Sequence, residues 1–152
     1  MARIDDRLCY LIREATATCA ILLDHSGQII RVAGDFDGQD LVSLGALLAG
    51  NFASAREIAR LLREPQFRVC FQQGEHQHVM TSVVGGRCLL SVLFRASSQL
   101  GLVKVLSGRA ADELAGIVVE GSRQAHADGL DPRSFRAAAE SGIDRWFREQ
   151  RD

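Results

Sequence analysis

Fifteen consecutive residues in the middle of the chain, Leu41 to Ala55 (LVSLGALLAGNFASA), carry no charged side chain, and all of them are compatible with a helix. Asp40 precedes the run and Arg56 follows it. At about 100° per residue, Leu41, Leu44, Leu48, Phe52, Ala55, Ala59 and Leu62 fall on one apolar stripe. A surface helix would set a charged face opposite that stripe, but here the opposite faces carry Ala, Gly, Ser, Asn and Leu47. A helix that is apolar nearly all round must be covered on more than one side. The run is bounded too tightly to span a bilayer, which takes about 20 apolar residues. The second cover expected is another chain, so the feature points to an interaction module.

The rest of the composition narrows the choice. At 152 residues the chain is long enough for one domain with a real core. Eighteen Lys and Arg stand against 19 Asp and Glu, leaving no net field to draw in nucleic acid or an acidic membrane surface. Cys9, Cys19, Cys70 and Cys88 are far apart, with no CxxC pair, and three of them lie in strand-like runs where Cys serves as a small hydrophobe. The first residues, MARIDDRLCYLIRE, have acids in the first turns and no apolar core, so they do not read as a signal peptide. A reducing cytoplasm is the expected compartment.

Along the chain, Ile4, Leu8, Leu11, Ile12 and Ala15 share one face of a short amphipathic helix. Thr16 to Leu23 reads as a central strand covered on both faces, Asp24 to Gly27 as a turn, and Gln28 to Ala33 as the returning strand. Asp37 or Asp40 can cap the long helix, which is expected to stop near Arg63-Glu64, before Pro65. Three strands follow: Gln66 to Gln73, an edge pattern with Phe67, Val69 and Phe71 alternating with polar neighbours; a second around His78 to Val83; and Arg87 to Arg95 after a Gly85-Gly86 turn. Ser97 or Ser98 is expected to cap a third helix running to about Glu120. Residues 121–129 read as a polar linker, and Asp131-Pro132 opens a final helix with Phe135, Ala138, Ala139, Gly142 and Trp146 on one side and a strongly charged opposite face.

No constellation for catalysis stands out. Gly45 to Gly50 has the G-x4-G spacing of a phosphate-binding loop, but Asn51-Phe52 stand where Lys and Ser/Thr would hold phosphate and magnesium. Those glycines are better suited to close approach of another backbone, since each interior Gly costs about 1 kcal/mol of helix propensity. His76 and His78 would point to one face of a strand, yet no third metal ligand accompanies them, and polar residues at a strand entrance is the simpler reading. His25, in a turn, is expected to be solvated. Asp24, Asp35, Asp37 and Asp40 fall at turns and caps, where Asp bonds locally. Arg56, Arg60 and Arg63 recur at helical spacing; they suit either an acidic or phosphate-bearing partner or a solvated helix end with favourable dipole placement. No catalytic, cofactor-binding or metal-binding residues are assigned, and the chain reads as a non-enzyme.

The element order, together with SLGALLAGNFASAREIARLL, then VMTSVVGGRCLLSVLF and SSQLGLVKVLSGRAADEL, resembles the roadblock / dynein light chain family, and within it the MglB-type bacterial members. The resemblance covers about residues 3 to 120, so the expected division is a roadblock domain over 1–120, a linker over 121–130 and an appended C-terminal amphipathic helix over 131–150. It implies an α+β fold, profilin-like in its α-β-β-α-β-β-β-α order: a five-stranded antiparallel sheet with the long helix on one face and the first and third on the other. It also implies a homodimer, with the Phe67/Val69/Phe71 strand pairing edge to edge across a two-fold axis and the second helices packed together. That would hide an aggregation-prone edge and the charge-free helix at once.

The function implied by the resemblance is regulation of a small Ras-like GTPase, docked on the paired second helices and stimulated to hydrolyse GTP by remodelling of its own residues, in bacterial polarity or motility. Leu47, Asn51, Ser54 and Ile58 form one flank of the helix, and Ala46, Gly50, Ala53 and Glu57 the other. One flank is expected to meet the sister helix and the other the GTPase. Phe135 and Trp146 are candidate accessory contacts, since Trp is a frequent interface anchor. The alternatives are a scaffold that recruits a GTPase or other regulator without affecting hydrolysis, and a small-molecule sensor.

Overall fold

The computed structural model describes residues 2–36 and 40–127, and the expected final helix at 131–150, with Phe135 and Trp146, lies outside them. Helix α1 (Ala2–Ala15) buries Ile4, Leu8, Leu11 and Ala15 and leaves its charged residues in water. It ends where Thr16 turns into the left-handed region (φ 53°) and the Ala17 amide donates back to the Ile12 carbonyl at 3.0 Å. Strand β1 (Cys19–Asp24) is buried from Cys19 to Leu23, as expected of a strand covered on both faces. Its turn into β2 (Ile29–Gly34) is organised by Asp24, whose Oδ1 accepts from the Ser26 and Gln28 amides, both at 2.9 Å.

Helix α2 (Leu41–Leu61) is capped by Asp40, whose carboxylate accepts from the Ser43 amide at 3.1 Å and from the Ser43 hydroxyl. It closes with Arg63 in the left-handed region (φ 56°), the Arg63 amide donating to Arg60 and the Glu64 amide to Ala59. Strands β3 (Val69–Gln73), β4 (Gln77–Val84) and β5 (Cys88–Arg95) follow, with Gly85 and Gly86 both at positive φ in the β4–β5 turn. Helix α3 (Leu100–Ala127) closes the described fold. The sheet is antiparallel throughout, in the order β2-β1-β5-β4-β3. On one face α1 and α3 pack over Leu22, Met80, Leu90, Val92 and Phe94. On the other, Leu48, Ala49 and Phe52 of α2 pack over Cys19, Ile21, Leu23, Leu89 and Leu93.

Four local expectations change. Helix α3 does not stop near Glu120: residues 121–127, expected as linker, continue the helix. Gly121 lowers propensity there, but no Pro interrupts until position 132, so nothing forces the chain out of the helix. Neither Ser97 nor Ser98 stands at the N-cap. Gln99 does, its carbonyl accepting from Val103, while the Ser98 hydroxyl donates to the Thr16 carbonyl at 3.2 Å. Strand β3 begins at Val69, so Phe67 lies before it and is only partly buried. The buried face of α2 keeps Leu41, Leu44, Leu48, Phe52, Ala55 and Ala59 of the expected stripe but is wider, with Gly45 and Ala49 also inside, and Leu62, past the helix, is exposed.

Candidate protein–protein interface

The widening of the buried face toward Gly45 has a physical cause. A Cβ on Gly45 would lie 2.5 Å from the Gly27 carbonyl oxygen, so the β1–β2 turn sits directly on the helix backbone there. Gly45 therefore serves close approach within its own fold, not to another chain as its sequence setting suggested. Gly50, one and a half turns later, has nothing within 4 Å of the same position and faces outward. With the helix so anchored, Ala46, Leu47, Gly50, Asn51, Ala53, Ser54, Glu57 and Ile58 are all exposed, and the two expected flanks together make the free surface of α2.

That surface is unusually apolar. Val42 is 79% exposed, Leu47 70%, Leu61 74% and Leu62 67%, and Ile58 is exposed beside them. An exposed apolar patch of this kind, without a charge from Leu41 to Ala55, is a candidate interaction site. Sequence periodicity missed Val42 and Leu61 and assigned Leu62 to the core. Their signal was the apolar character at positions off the stripe.

The sheet edge offers a second surface. Among the described residues, strand β3 is terminal in the sheet and pairs with β4 alone, so its other side presents unpaired backbone groups. Val69 and Phe71 are exposed on it, Phe71 stacking on Phe94 (ring centroids 6.2 Å) and meeting His78 edge-on (5.5 Å). Cys70 points to the opposite face and packs, half-buried, against the α2 side of the core beside Val79 and Val83. These three form a shelf between α2 and the edge.

The titratable groups divide clearly. His76 is exposed in the β3–β4 turn, whereas His78 is buried and its Nδ1 accepts from the Gly74 amide at 3.2 Å, so the two do not form a ligand pair. No group of three His, Cys, Asp or Glu among the described residues is placed to hold a metal. His25 is only partly exposed, not freely solvated as expected: its Nε2 is shielded without a partner among the described residues, and its ring lies 6.3 Å from that of Phe52. Burial, and then the Arg56 guanidinium, push its pKa down, against the opposing pull of Asp24. Burial lifts the Cys19 and Cys88 thiols to about 11 and raises Cys70 as well, which suits hydrophobic filler and not reactive thiols.

The Roadblock/LC7 domain family matches residues 6–94 of this fold. The chain belongs to that family. It is 33% identical to Myxococcus xanthus MglB, over 79% of this chain and 98% of that one, with a TM-score of 0.76. The gliding protein MglB from Thermus thermophilus is similar at 31% identity, over 78% and 90% of the two chains, with a TM-score of 0.73. A Roadblock/LC7 domain from Streptomyces avermitilis, at 18% identity, shares the fold (76% and 97% covered, TM-score 0.70). No curated protein matches the sequence. The roadblock fold expected from the motifs is thus the fold found, and the likeness to MglB makes this a roadblock-type regulator. No helix among the described residues is long and apolar enough to cross a membrane.

Proposed function

We propose that this roadblock protein is a homodimer that binds a small Ras-like GTPase through α2 and accelerates its GTP hydrolysis. The observation that carries the reading is the outer surface of α2, free of charge from Leu41 to Ala55 and left bare by the described residues while its other face is locked to the sheet. One chain accounts for only part of such a surface. A second copy adding its β3 edge would extend the sheet and bring its α2 toward the shelf of Cys70, Val79 and Val83, leaving the paired helices outward for the GTPase. The likeness to MglB, one homologue of which is a gliding protein, supports a role in motility or polarity. In this reading the roadblock protein reshapes the switch regions of the GTPase and donates no reacting group of its own. The segment at 131–150, with Phe135 and Trp146, would add a second grip.

Single-turnover GTP hydrolysis by the Ras-like GTPase of the same genome, with and without this protein, tests the proposal. Acceleration is the expected result, binding without acceleration would make the protein a scaffold, and no binding would refute it. The Ala53→Arg variant places a charge in the middle of the bare surface. If that charge cannot escape to water the cost is several kcal/mol. Association should be lost while the fold is kept, because Ala53 is exposed in the isolated chain. Since α3 runs to Ala127, a chain cut after that residue tests the second grip and should weaken GTPase binding without unfolding.

A further inference from the structure

The end of α2 differs in chemistry from its middle. From Arg56 to Arg68 the chain has four arginines (Arg56, Arg60, Arg63, Arg68) and two glutamates (Glu57, Glu64), a net of +2, and all six are exposed. Glu57 is engaged by Arg60 at 3.0 Å. Among the described residues Arg56, Arg63 and Arg68 have no carboxylate at ion-pair distance.

Arg63 is the more telling residue. It occupies the left-handed position just past the helix, at φ 56°, where the reversed hydrogen bonds to Arg60 and Ala59 close the helix. Glycine takes that conformation without strain, whereas any Cβ-bearing residue is strained there. The fold needs only the backbone at this position. A long cation held there at conformational cost suggests that the side chain is used. Exposed Ile58 and Leu62 lie at the same end of the helix but on its other side, so Arg56 and Arg60, four residues apart, share a face of their own.

We infer that this arginine-rich end of α2 docks an acidic protein surface. A second copy of the chain fits it poorly. Antiparallel helices about a two-fold axis would bring the basic end toward the start of the sister helix, where Asp40 already has its carboxylate committed to Ser43. Parallel ends would set like charges together. Arginine forks suit carboxylates bidentately, which favours a carboxylate-bearing protein surface. The inference goes beyond the GTPase reading and does not depend on which acidic protein is bound.

The test uses the full chain and a fluorescein-labelled polyglutamate peptide, read by anisotropy at low ionic strength. The wild type should bind, and Arg56→Glu/Arg60→Glu/Arg63→Glu should bind at least about tenfold more weakly. Arg109→Glu, on α3, should bind as the wild type does. Arg63→Gly discriminates most sharply: it should raise the unfolding temperature yet weaken binding, a combination that a purely structural role would not give. Sedimentation should show the same self-association for the triple variant as for the wild type. No binding by the wild type, equal binding by the triple variant or by Arg63→Gly, or loss of self-association in the triple variant would overturn the inference. So would tighter binding to phosphatidylglycerol vesicles than to the peptide.

Discussion

Two glycines of α2, five residues apart, should respond oppositely to the same methyl group. In both Gly45→Ala and Gly50→Ala the helix gains about 1 kcal/mol of propensity. At Gly50 nothing opposes the gain, because the added Cβ meets open space. At Gly45 the Cβ would stand 2.5 Å from the Gly27 carbonyl oxygen and 3.3 Å from Ile29 Cγ1. The first of these is backbone, in a turn whose own Gly27 is at φ 91° and whose Cβ position is 2.8 Å from the Ala46 Cα, so neither side can yield cheaply. Overpacking of this sort costs about 1–3 kcal/mol. Net of propensity, Gly45→Ala should be destabilised by about 0–2 kcal/mol and Gly50→Ala stabilised by about 1 kcal/mol. The two variants should therefore differ by about 1–3 kcal/mol in urea unfolding at one fixed protein concentration. Equal stabilities would refute the claim that the β1–β2 turn, and not a partner, dictates the glycine at position 45.

Three further outcomes are expected. Phe52→Ala should lose about 3–5 kcal/mol of stability, since the ring is buried under α2, while Leu47→Ala should leave urea unfolding of the dilute protein nearly unchanged and weaken sedimentation-detected self-association. For His25 the folded pKa lies below the unfolded value of about 6.5, so its neutral form favours folding. Stability should be intact above about pH 6.5 and fall as the pH drops toward the folded pKa, and in His25→Gln a thermal-melt series should lose that part of the slope. At pH 8 a colorimetric thiol reagent should label exposed Cys9 fast and leave Cys19 and Cys88 unreacted until denaturant is added, because their raised pKa keeps them as thiols. Rapid native labelling of all four would contradict the buried placement.

The elements that the sequence revealed best are those whose environment is written in local periodicity. The four core residues of α1 recur at helical spacing, and β1 and β5 read as continuous apolar runs because both their faces are covered. What stayed hidden depends on contacts between distant segments. His25 looks like a turn residue exposed to water, but α2 settles over the turn and removes water from Nε2. Gly45 looks like a site for a second chain until Gly27, eighteen positions earlier, is found against it. Residues 121–127 look like a linker because their polarity lacks a stripe, yet the helix that reaches them from Leu100 meets no Pro to end it. For the interface, the missing charge on α2 was legible without coordinates. Which residues formed its free surface depended on how the helix was rolled, and that follows from the Gly45–Gly27 contact.

That same contact explains why a bare apolar surface can persist on a folded chain. A helix with greasy residues on several sides has several ways to lie on a sheet, and burial alone would choose poorly among them. The turn at Gly27 admits only a residue without Cβ, and α2 offers Gly45 and Gly50 as the candidates. Seating Gly45 buries Leu48, Ala49 and Phe52 and turns Leu47, Gly50 and Ala53 outward. A roll about the axis would exchange Leu48 for Leu47 at similar apolar gain, but it would drive a Cβ into the turn. Steric exclusion at one glycine thus sets which leucine is core and which is offered to a partner.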